Sequence, residues 1–262
     1  MIRSELRRLL ATRLGWAIVL APAAIGLGLV GAMTATGPEN FQPPMPGLDT
    51  AEGVRLLLGV LGLSAFVPAA LGTMAVTAEY RHRTIDATFL HAPRRGRVLA
   101  GKLVVHAGAG LVYGLVLATT SAAALYGVSA LRGTALGLPP GEVLGVLARI
   151  GAAMAVYLVI GVGAGALLHN QVAALAAVVG YLYVGEPLLM LMPGVGGVYP
   201  LLPGGATSAL TGFTYVADAM SAEVGTASIT LLTPVLGALV LLGYAVVAAV
   251  AAVLAPMRRD VV

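Results

Sequence analysis

The sequence has no cysteine, a single lysine, and charge on only 10% of its 262 residues. Without cysteine there are no disulfides and no thiolate metal ligands. The shortage of charge excludes more, because a soluble domain carries roughly 25% charged residues. A tenth cannot coat a globule in water, so most of this surface must be solvated by lipid. No Ser/His/Asp set and no paired carboxylates stand out, and no enzyme is expected. No aromatic-interleaved basic groove is present either, so the basic pI near 9.6 is not read as nucleic-acid binding.

What is present is apolar: 59% of the residues are hydrophobic and the mean hydropathy is +0.95. A membrane-crossing helix needs roughly 20 apolar residues with few charges. Six stretches qualify: Trp16–Ala35, Leu56–Thr77, Leu103–Leu125, Ile150–Leu168, Val172–Met192 and Ile229–Leu254. The fourth is expected to start near Val143, with Arg149 inside its outer end. The first has a basic front, but its apolar run exceeds the ~7–15 residues of a signal peptide, so it reads as a retained helix. Before the last span lies PGVGGVYPLLPGGATSALTGF, too interrupted to cross and too apolar for an ordinary loop. A re-entrant or interfacial helical pair is the expectation for 193–228, with seven or eight crossings as the alternative.

Orientation follows the basic residues, which cytoplasmic loops retain. Twelve of the fifteen lie on one side: Arg3, Arg7, Arg8, Arg13, Arg81, Arg83, Arg94, Arg95, Arg97, Lys102, Arg258 and Arg259. Both termini and the 78–102 loop are therefore expected in the cytoplasm. The opposite loops hold Glu39, Asp49, Glu52, Glu142, Asp218 and Glu223. Arginine in place of lysine hints at a GC-rich genome and a bacterial inner membrane.

The one long polar passage is EYRHRTIDATFLHAPRRGRVLAGK. Positive-inside bias by itself is one explanation of its charge. Beyond that, Glu79 and Tyr80 sit at the exit of the second span, and Thr84 is placed to cap a short helix. Ile85 and Phe89 would share a face of that helix, with Leu90 at its margin. Pro93 would end it. The segment from Gly96 to Lys102 has the G-x-x-x-x-G-K spacing of a phosphate-binding loop. However, Leu103 follows where Ser or Thr should hold magnesium, and no strand precedes it.

These residues resemble the first cytoplasmic loop of the membrane permease subunits of type-2 ABC transporters. The matching positions are Glu79, Tyr80, Thr84, Ile85, Pro93, Arg94, Arg95, Arg97 and Lys102; Arg83 stands where many relatives have glycine. Similar architecture extends along the chain. MIRSELRRLL resembles the family's amphipathic interfacial helix (1–14), with Ile2, Leu6, Leu9 and Leu10 on one face. The segment Tyr199–Leu210 resembles its re-entrant region. The resemblance implies an all-α membrane protein of six spans that pairs with a second permease chain, identical or related. It implies a separate ATP-binding cassette subunit that holds ATP and magnesium, so this chain itself needs no cofactor. Glu79, Tyr80, Thr84, Ile85, Phe89 and Leu90 would couple to that subunit. Arg94, Arg95, Arg97 and Lys102 would be basic anchors toward lipid or partner. An apolar or amphiphilic cargo suits such spans. A secondary carrier without an ATPase, and a non-transporting anchor or assembly subunit, are the alternatives.

Other residues carry less. Glu186, before Pro187 in the fifth span, either lines a cavity or reaches water at the helix end. Arg149 is either its partner or extends outward. His82, His91, His106 and His169, with Met190 and Met192, do not make a convincing metal site. Gly110-x-x-x-Gly114 and Gly161-x-x-x-Gly165 favour close helix approach without naming an interface.

Overall fold

A backbone in lipid has to satisfy its hydrogen bonds internally, and these apolar runs do so as helices. The computed structural model describes residues 2–42, 45–81, 95–168, 170–192, 196–224 and 229–254, and these contain no strand. We number the helices α1 (Ile2–Ala11), α2 (Arg13–Thr36), α3 (Ala51–Ala78, its backbone helical to Arg81), α4 (Arg95–Arg132) and α5 (Pro140–Leu168). They continue as α6 (Gln171–Leu191), α7 (Pro203–Thr211), α8 (Tyr215–Val224) and α9 (Pro234–Leu254). Six of them, α2 to α6 and α9, are long and apolar enough to cross a membrane. The chain is thus an all-helical, multi-pass membrane protein.

Helix ends differ from the sequence expectation where turn chemistry overrides hydropathy. The last span starts at Pro234 rather than Ile229. Proline needs no donor at the first helical position, and the Thr233 hydroxyl accepts from Leu236 N at 3.4 Å. The third runs well past Leu125 to Arg132, where Gly133 at φ 66° ends it. The fourth begins at Pro140, just ahead of Val143. At this end of the bundle, Arg132 pairs with Glu39 at 3.3 Å and Arg55 with Glu142 at 2.6 Å.

The hub is α5, which packs against α3, α4 and α9. Both glycine pairs noted in the sequence serve it. Gly110 and Gly114 of α4 lie against Ala155 and Gly151 of α5, an antiparallel match. Gly161 and Gly165 of α5 follow Ala69 and Thr73 of α3 in the same chain direction. The Thr73 hydroxyl is shared between the Ala69 carbonyl at 2.9 Å and the Gly161 carbonyl at 3.1 Å. An interhelical bond of this kind contributes about 0.6 kcal/mol in a membrane protein. Thr73→Val, which keeps the shape, is therefore expected to lower the thermal unfolding midpoint only slightly. A large drop in a differential-scanning measurement would contradict that small share.

Glycine at these crossings lets the backbones touch, whereas bulky residues face outward. Leu111, Leu115, Val246 and Val247 are all exposed, which suits contact with lipid tails. The amphipathic helix α1 rests on α2 and α4. It turns Glu5 and Leu9 inward and leaves Ile2, Leu6 and Leu10 exposed.

Between the last two spans, a 3-10 turn over Gly196–Leu201 leads into α7, which is buried along almost all its length. It packs against α9 and α5, while α8 packs on α6. This is where the sequence suggested two short helices.

Candidate functional site

Two cavities organise the polar residues of the interior. The first lies at the end of the bundle away from α1. Helix α6 passes through one turn of π-helix, Tyr181–Gly185, directly before Glu186 and Pro187. Pro187 has no N–H for the Tyr183 carbonyl, and a widened turn at this point is one way a helix absorbs that loss. The side chain of Glu186 then turns inward and is only 2% exposed. Its Oε2 accepts from Gly204 N at 2.8 Å, within the first turn of α7. The unbonded N–H groups and positive dipole end of a helix favour a carboxylate here.

The other carboxylate oxygen, Oε1, has no hydrogen-bond partner among the described residues. Glu186 is among the residues lining a cavity of about 200 Å³, whose wall also includes Tyr157, Tyr183, Tyr199, Thr207 and Phe213. The remaining polar groups are largely satisfied. Tyr157 Oη and Thr207 Oγ1 are 3.0 Å apart, and Tyr199 Oη and Ser208 Oγ are 3.2 Å apart. The hydroxyl of Thr207 also lies 2.8 Å from the Pro203 carbonyl. One carboxylate oxygen therefore stands out in an otherwise paired, aromatic-rich pocket.

Glu186 is thus buried and is one of the residues lining this cavity. Arg149 takes no part: its Nε donates to the Gly145 carbonyl of its own helix at 3.1 Å. Sequence reasoning had not singled out Tyr157 or Thr207. A hydroxyl in the middle of an apolar span was the available signal for Tyr157. Thr207 lacked even that, since its helix lies in the broken segment.

The second cavity, of about 550 Å³, is at the α1 end between α1, α2, α3 and α4. Lys102 lies against it, expected at the basic margin of the loop but here inside the protein, with its side chain 3% exposed. Its Nζ is 3.0 Å from Glu5 Oε2. One turn on, His106 Nδ1 lies 2.8 Å from the Lys102 carbonyl. Glu5 had also escaped notice, although it falls on the stripe of Ile2 and Leu9, where a charge is out of place.

The backbones of Glu79 and Tyr80 continue α3, and those of Arg95 and Arg97 open α4. Thr84, Ile85, Phe89, Leu90 and Arg94, with the short helix expected for them, lie outside the described residues. Among the described residues no group of three or more His, Asp or Glu is placed to hold a metal ion. No family model matches the chain, and no curated protein matches it.

Proposed function

We propose that this chain is the membrane-spanning permease subunit of an ATP-driven ABC exporter, moving an apolar or amphiphilic small molecule or lipid out of a bacterial cytoplasm. It would sit in the inner membrane with both termini and segment 78–102 cytoplasmic, α1 in the headgroup layer and α7–α8 as the re-entrant part. The supporting observation is how that segment is mounted. The α-helical stretch Phe66–Arg81 of α3 runs through Glu79 and Tyr80, α4 opens at Arg95, and both α3 and α4 pack on the central helix α5. In this reading a force applied to the loop would pass to the hub through these two helices.

ATP and magnesium belong to a separate cassette subunit in this reading, and catalysis of hydrolysis belongs there too. Nucleotide shifts the permease only through a difference in how the closed and open cassettes engage Glu79–Leu90. A second permease chain completes the pathway. The test is to tag the chain, extract it in mild detergent and identify the soluble protein that stays bound. An ATPase is expected to co-purify with the intact chain and to be lost or uncoupled with Glu79→Ala plus Phe89→Ala. Recovery of no ATPase across several mild detergents overturns the exporter reading.

One observation favours a secondary carrier instead: a buried carboxylate with an unpartnered oxygen is what an ion-coupled transporter requires. Uptake or efflux in vesicles that hold this chain without any ATPase would establish that reading.

A further inference from the structure

We infer that the Glu186 cavity is a binding site for a cationic head group, and that the cargo is a lipophilic organic cation. The inference rests on the transport reading and names the chemical class that the same chain would carry.

A carboxylate removed from water stays ionised only beside a counter-charge or with its charge otherwise compensated. Glu186 is 2% exposed, and among the described residues it forms no ion pair. Its Oε2 is compensated by Gly204 N at the start of α7, a helix of nine residues. Its Oε1 is not, and Glu186 is among the residues that line the cavity. Arg149, the nearest candidate by sequence, is bonded to its own helix. The cavity wall thus includes a carboxyl group with one oxygen unpartnered.

The walls specify more than charge. Tyr157, Tyr183, Tyr199 and Phe213 line the same cavity. Aromatic faces attract ammonium groups that have lost their water, and cages of this composition select quaternary or alkylated amines. A space of about 200 Å³ takes a head group and leaves an apolar tail to lie outside it. An anionic cargo would be repelled by an ionised Glu186 in the wall. A neutral cargo would leave Oε1 unpaired, which costs affinity.

The probe is benzyltrimethylammonium, with benzenesulfonate as its anionic counterpart, in equilibrium dialysis against the full chain in lipid nanodiscs. Empty nanodiscs set the partition background. Saturable binding of the cation, one per chain, is expected, with no saturable binding of the anion. Glu186→Gln keeps an oxygen to accept from Gly204 N and removes only the charge. It is expected to weaken the cation by about tenfold or more, since hydrogen bonds and contacts to a charged group exceed neutral ones.

A second readout needs no variant. A hydrophobic carbodiimide should label Glu186, and bound cation should protect it, read by mass spectrometry of the peptide. Equal uptake by full and empty nanodiscs overturns the inference, as does saturable binding with unchanged affinity in Glu186→Gln or no protection of Glu186. The outcome is separable from the exporter reading, because no ATPase is present. Cation binding without ATPase capture removes the exporter and leaves the site. ATPase capture without cation binding removes the site and leaves the exporter.

Discussion

Gly161→Leu is expected to leave little monodisperse protein after extraction, the largest effect of any single substitution considered. A side chain at Gly161 would strike the Ala69 carbonyl and the backbone behind it, not the movable end of a flexible side chain. One turn on, a side chain at Gly165 would come within 2.6 Å of the Thr73 carbonyl, so the two helices cannot tilt away at one point without opening the other. Separation would also break the bond from Thr73 to the Gly161 carbonyl. Overpacking a side chain typically costs about 1–3 kcal/mol and occasionally more. Where backbones are in contact the upper part of that range applies. Against a net stability of about 5–15 kcal/mol, such a loss at the hub is severe. Gly243 in α9 is the matched control, because nothing lies within 4 Å of a Cβ built there. Gly243→Leu is expected to elute and unfold like the parent protein. A Gly161→Leu variant that also does so in size-exclusion and thermal scans would show that α3 and α5 do not depend on this approach.

These glycines show which parts of the molecule were legible in the sequence. Spans are local: length and apolarity fix their number, and six helices of the right kind are present. Their ends are set by single residues that hydropathy averages away, such as Pro234 and Gly133. The Gly161-x-x-x-Gly165 spacing is plain in the sequence, yet its partner is an alanine and a threonine some ninety positions earlier, which no glycine pattern marks. Glu186 shows the same limit at the candidate site. An ionisable residue in an apolar run is conspicuous, and charge complementarity directs attention to Arg149. Its actual partner is a backbone N–H, at Gly204, and a backbone donor has no signature in a string of side chains. That N–H is available because α7 starts there; the sequence suggested short helices in this segment without fixing where either begins. The loop motif has no such outcome, because Thr84 to Leu90 lie outside the described residues.

Lys102→Met is expected to loosen α1 from the bundle, and removing Glu5 as well is expected to restore it. The pair is nearly withdrawn from water, with side-chain exposures of 3% for Lys102 and 11% for Glu5. Taking one partner out of a buried pair typically costs about 3–5 kcal/mol, because the other charge stays behind uncompensated. The residual access of Glu5 to water puts the expected cost toward the lower end. Replacing both charges by apolar residues is often neutral, so Glu5→Leu with Lys102→Met should recover most of the loss. The contrasting pair is Arg55 with Glu142, half-exposed at 50% and 52%. There Arg55→Gln should cost below about 1 kcal/mol. Thermal midpoints followed through the single tryptophan, Trp16 at the start of α2, rank the four proteins. Trypsin cleavage after Arg8 and Arg13 reports the release of α1 directly and should quicken only in the Lys102→Met single variant. If single and double variants fall equally, the ion pair is not the tie. Packing of Leu9 would then hold α1, and any push from segment 78–102 would reach α4 without passing to α1.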